Sequence, residues 1–168
     1  MLKDISIDKI KHDAEEIFKE GGFYCSEAVV HAIRNNIAPE MPEAFVASAS
    51  GFAIGTGKSK CMCGSVTGGV VCLGYFFGRV QPTTPTDPQS LKCLALAYEL
   101  QDSFKQNHKV NCCHVHLKGI EVGSAEHTAQ CAGFTGEMAA KTAEIIAREL
   151  KLNVVQGTGE KATTAGRT

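Results

Sequence analysis

The chain predicts an all-α fold: a single-domain bundle of about six helices around a buried, glycine-rich central helix. Three observations carry that expectation. Apolar residues recur at three- and four-residue intervals in most segments, glycines and capping residues punctuate those segments, and no run of alternating apolar and polar residues marks a strand. The length of 168 residues suits one domain, placed at 1–155. The remainder, 156–168, has no apolar pattern and is expected to be a mobile tail.

Ile7, Ile10, Ala14, Ile17 and Phe18 share one face of a first helix from about 4 to 20, stopped by Gly21 and Gly22. A second runs from Tyr24 to Asn36, with Cys25 in its first turn and Ala28, Val29, Ala32 and Ile33 on the same buried side. Pro42 suits the first position of a short third helix ending near Gly51, and "GFAIGTGKSK" leads onward as a flexible loop. The fourth helix, 61–78, is the uncharged one. Gly64 and Gly68 lie one turn apart, flanked by Ser65 and Gly69, so a neighbouring backbone can approach closely. Its length is near the minimum for spanning a bilayer, but its five glycines and amphipathic neighbours place it inside a soluble bundle, without membrane insertion. Asp87 and Pro88 cap a fifth helix that carries Leu91, Leu94, Ala97, Tyr98 and Phe104 to about Gln106. Met138, Thr142, Ile145, Ile146 and Leu150 mark the last helix.

A formal charge of -1, with both signs interspersed, leaves no basic stripe for nucleic acid. The charged N-terminal segment lacks the apolar core of a secretory signal, so a cytoplasmic location is expected. "GFAIGTGKS" fails as a phosphate loop, because Gly51 and Gly57 enclose five residues where four are required. It also fails as a dinucleotide turn, because Lys60 stands where the third glycine would be. No nucleotide cofactor is expected. The absence of C-x-x-C-H excludes covalently attached haem.

Eight cysteines in a chain of this kind direct attention to metal binding or thiol redox chemistry rather than a disulfide framework. Cys72 and Cys93 read as packing residues. No C-x-x-C occurs, so any metal site is assembled from distant segments. "NCCHVH" gathers Cys112, Cys113, His114 and His116, although adjacent cysteines do not readily chelate one zinc ion. His127 and Cys131 stand one helical turn apart if that stretch is helical, whereas His12, His31 and His108 read as surface residues. Cys25, Cys61 or Cys63, and Cys131 fall at or near expected helix starts, and Cys112 just after a helix end. Free amides and partial positive charge at a helix start lower a thiol pKa and stabilise an anionic iron–sulfur cluster.

The segments "GGFYCSEAVV", "CGSVTGG", "NC" and "AQCAGF" resemble the C_GCAxxG_C_C family of redox-active proteins over roughly residues 21–150. The resemblance implies four site cysteines, Cys25, Cys63, Cys112 and Cys131, with Cys113 able to take the place of Cys112. The family motif becomes Cys63, Gly64, Ser65 and Gly68, serine standing where the family has alanine. The pattern is also similar to the non-haem module of split-Soret cytochromes c, dimeric proteins for which an iron–sulfur centre has been proposed. A homodimer working with a redox partner protein is implied. The leading expectation is an iron–sulfur centre for electron transfer held by Cys25, Cys63, Cys112 and Cys131, with Gly64 and Gly68 packing around it and Cys61, Cys113 and His127 as additional candidates. The alternative is metal-free thiol–disulfide exchange, with Cys25 or Cys63 as the catalytic thiolate. A third reading is a zinc-stabilised binding module.

Overall fold

The computed structural model describes residues 1–156, and most of the expected tail at 156–168 lies outside the described residues. In chain order the described residues hold β1 (Asp4–Ile5), α1 (Ile7–Lys19), α2 (Cys25–Asn36), a 3-10 segment (Glu43–Phe52), α3 (Gly64–Phe77), α4 (Pro88–His108), α5 (Cys113–His116), α6 (Ala125–Leu150) and β2 (Asn153–Val154). The fold is all-α, with one minor addition. β1 and β2 form a two-residue parallel pair, Asp4 opposite Asn153 and Ile5 opposite Val154.

Three helix starts follow from local capping. The side chains of Ser6, Asp87 and Ser124 accept from the amides of Lys9 (3.2 Å), Ser90 (2.9 Å) and His127 (3.1 Å), satisfying donors that the first turn leaves unpaired. At α2, Glu27 reaches back to accept from the Tyr24 amide at 2.9 Å.

Four boundaries differ from expectation. The first helix begins at Ile7 rather than near residue 4, because Asp4 and Ile5 are engaged with β2. The third helix is a 3-10 segment rather than α. The central helix begins at Gly64 rather than Cys61, because Cys63 holds a non-helical ψ of 131° as the N-cap, its amide donated to the Asn111 carbonyl at 2.8 Å. The last helix begins well before Met138, at Ala125, so Cys131 sits inside it and not at its start.

Helix α3 packs against α2, α4, α6 and the 3-10 segment, while α1 lies along α6 and α2. Ile10, Ile33, Leu73, Leu100, Phe104, Ile145 and Ile146 are buried in one continuous core. The α2–α3 crossing depends on Gly68: a Cβ there would lie 2.5 Å from the Ser26 carbonyl oxygen and 2.9 Å from its Cα. Ser26 is itself fixed, its buried hydroxyl donating to the Ala49 carbonyl at 2.9 Å. No helix among the described residues is long and apolar enough to cross a membrane.

Candidate cysteine site

The closely packed start of α3 is also where the thiols gather. Cys63 is the N-cap of α3, its sulfur buried and 3.1 Å from the Ser65 hydroxyl. Cys25, first residue of α2, lies over the first turn of α3, where its sulfur fills the space that a Gly64 side chain would need. Cys113 opens α5, and Cys131 comes from the second turn of α6. Cys25, Cys113 and Cys131 line a cavity of about 260 Å3 whose walls include Phe18, Ile54, Leu117, Val122 and His127. Cys63 lies next to these three, electrostatically coupled to each.

All six pairs among Cys25, Cys63, Cys113 and Cys131 couple, each thiolate disfavouring its neighbours' ionisation. Burial is the larger cause, and together they push Cys25 and Cys131 up to about 12. Burial also raises Cys113, against a weaker pull from Lys60. At Cys63 burial outweighs the Ser65 hydroxyl and the amides of Ser65 and Val66. The expected lowering at helix starts is therefore reversed in direction. The α3 amides do act on Cys63, but desolvation dominates; Cys131 is not at a helix start.

Cys112 points elsewhere. The segments 60–63 and 111–114 run side by side, joined by Cys63 N–H to Asn111 C=O at 2.8 Å and His114 N–H to Lys60 C=O at 2.9 Å. Between these two bonds the Cys61 and Cys112 sulfurs meet as a disulfide pair, their Cα atoms 4.6 Å apart. The other six cysteines are free. Cys72 is fully buried, and Cys93 packs against the core.

His127 lines the cavity one turn before Cys131, its Nδ1 accepting from the Gly123 amide at 3.3 Å. His108 and His31, expected at the surface, are half-buried. His108 Nε2 lies 2.6 Å from Glu137 Oε2, and its ring packs between Phe104 and Phe134; Glu137 in turn raises Cys63 slightly. The amide of Ile54, which faces Cys25 and favours its thiolate, is also part of the site. Neither contact has a local sequence signal. Among the described residues, no three His, Cys, Asp or Glu side chains stand at the spacing of a single-ion site.

An all-α bundle that brings four soft sulfur donors from four chain segments together at one cavity defines a cysteine-centred protein. The chain belongs to the family described as "Putative redox-active protein (C_GCAxxG_C_C)", whose model matches residues 23–145. Searches of curated proteins and of solved structures give no match.

Proposed function

We propose that Cys25, Cys63, Cys113 and Cys131 hold an iron–sulfur centre that serves one-electron transfer to a partner protein. The observation that carries this is the convergence of thiols from four chain segments, Cys25, Cys113 and Cys131 on one cavity with Cys63 beside them, every pair of which repels when ionised. Among the described residues Lys60 acts as a cation on Cys113, more weakly than burial. Four thiolates in such a place require positive charge from a bound metal, which deprotonates its ligands as it binds. A set of thiolate donors is the usual holder of an iron–sulfur cluster.

Iron bound there supplies reversible one-electron chemistry. The chain supplies the rest. Gly64 gives Cys25 its place beside Cys63, and the Ile54 amide and the Ser65 hydroxyl offer hydrogen bonds to the sulfurs of Cys25 and Cys63. Such bonds tune a cluster's potential. Phe18, Leu117 and Val122 limit water at the cavity wall. The alternative, in which free Cys25 or Cys63 attacks a disulfide, is disfavoured because both thiols are held protonated by burial.

Anaerobic reconstitution with iron and sulfide, followed by metal and sulfide analysis and a visible spectrum, tests the proposal. The wild type and a Cys112→Ser protein are expected to take up iron and colour, whereas Cys113→Ser and Cys131→Ser lose both. A colourless wild type, or a Cys113→Ser protein with unchanged iron and sulfide, refutes the assignment.

A further inference from the structure

Cys61 has no place in the four-cysteine pattern, and Cys112 faces away from the cavity. Their pairing is built into the backbone. The two hydrogen bonds joining 60–63 to 111–114 bracket the pair, so its sulfurs are presented to each other by segments 51 residues apart in sequence. Accessibility is unequal: Cys61 is exposed and Cys112 half-buried. Exposed Lys58 and Lys60 precede Cys61, so the approach to its sulfur is cationic and favours an incoming thiolate.

The loop on the N-terminal side of Cys61 adds an independent observation. Ile54, Thr56, Lys58 and Lys60 all hold φ between 44° and 67°, a left-handed conformation that side-chain-bearing residues, and β-branched ones above all, adopt at a cost. That loop starts at Ile54, whose amide faces Cys25, and ends at Cys61. It thus joins the Cys61–Cys112 pair to the wall of the four-thiol cavity.

We propose that Cys61–Cys112 is a second redox site, a thiol–disulfide exchange centre whose substrates are dithiols and disulfides of proteins or small molecules. In the reductive direction an external thiolate attacks the exposed Cys61 sulfur. A bond forms between that sulfur and the reductant, the Cys61–Cys112 bond breaks, and Cys112 leaves as a thiolate that takes a proton. The reductant's second thiol, losing its proton, then attacks the mixed disulfide and releases Cys61. Two electrons pass to the pair, and the reductant departs as its own disulfide. Reduction also unties the loop that carries Ile54, opening the approach to Cys25. The chemistry of the pair is independent of whether the four-thiol site holds a cluster.

The test is differential thiol alkylation read by mass spectrometry, on metal-free and on iron-loaded protein, with dithiothreitol as the probe. Without reductant, Cys61 and Cys112 are expected to resist alkylation as a linked peptide pair. With it, each gains one label in both forms, and in the metal-free protein Cys25 labels at least about tenfold faster. In Cys61→Ser protein, Cys112 is labelled without reductant; Cys112→Ser protein, exposed to a small-molecule disulfide, traps a mixed disulfide on Cys61. Free labelling of both residues in air-oxidised wild type, or pairing of Cys112 with any other cysteine, overturns the proposal. An unchanged Cys25 rate in the metal-free protein overturns the coupling through the loop. Because labelling is read separately from iron content, loss of the cluster assignment leaves these outcomes intact.

Discussion

Replacing Gly68 with alanine tests how the site is held together. The new Cβ would stand 2.5 Å from the Ser26 carbonyl oxygen, 2.9 Å from its Cα and 3.1 Å from its carbonyl carbon, where ordinary contact begins near 3.4 Å. Every obstructing atom is backbone, so no rotamer relieves the clash, and α2 must shift by close to 1 Å from α3. Overpacking of this sort costs about 1–3 kcal/mol, and the rigid neighbour puts Gly68→Ala near the top of that range. Alanine's better helix propensity returns about 1 kcal/mol, leaving a net loss of about 2 kcal/mol. For a domain of this size that is a fall in Tm of roughly 4–8 °C. Gly74 in the same helix has nothing within 4 Å of its Cβ position, so Gly74→Ala is expected to gain about 0.5–1 kcal/mol. Urea unfolding of the two variants beside wild type measures the difference. Equal stability of Gly68→Ala and Gly74→Ala would refute close α2–α3 contact as the organising feature. Since Ser26 follows Cys25, Gly68→Ala is also expected to bind less iron than Gly74→Ala.

The His31 ring lies against Phe23 with centroids 5.1 Å apart, and burial, then Arg34, hold its pKa below the ordinary value. The unfolded chain therefore binds the proton more readily, so this contribution to stability is complete above about pH 6.5 and is lost as pH falls through the lowered value. Urea midpoints between pH 7 and 5 should decline less for His31→Gln than for wild type; parallel curves would contradict the assignment. Lys151 ends α6 at φ 55°, so Lys151→Gly should raise thermal stability by about 1 kcal/mol, and a lower Tm would show that its side chain contributes contacts that outweigh the strain.

What the sequence made legible was chiefly local. Ser6, Asp87 and Ser124 cap their helices through bonds spanning three residues, and the faces of α1 and α2 follow from spacing alone. The first half of α6 was hidden because Gly133 and Gly136 interrupt its apolar pattern. At Gly136 the Glu15 side chain of α1 occupies the place a Cβ would take, a contact more than a hundred residues away. Cys112 and Cys113 are neighbours whose opposite directions are set by bonds to residues 60–63, so no local pattern separates them. The direction of the thiol pKa shifts was likewise non-local. A helix start can be read from sequence, but desolvation depends on what covers the sulfur, and at Cys25 and Cys63 the covering wins.

The stretch from Cys63 to Gly68 acquires a physical meaning from these contacts. One turn of α3 provides a thiol at Cys63, a space at Gly64 for the Cys25 sulfur, and a second space at Gly68 for the Ser26 backbone. Gly64 and Gly68, four residues and about 6 Å of rise apart, lie on one face of α3, and Cys25 and Ser26 of α2 rest against that face. Cys25 and Cys63 are thus fixed by helix–helix packing, whereas Cys113 is positioned through a short segment bonded to the loop before α3. Cys131 is likewise held within α6, so of the proposed ligand set Cys113 is the member tethered through the Cys61–Cys112 pair. A change in the oxidation state of that pair should therefore be felt first at Cys113 and along the Ile54 loop, with the contact between Cys25 and Gly64 preserved.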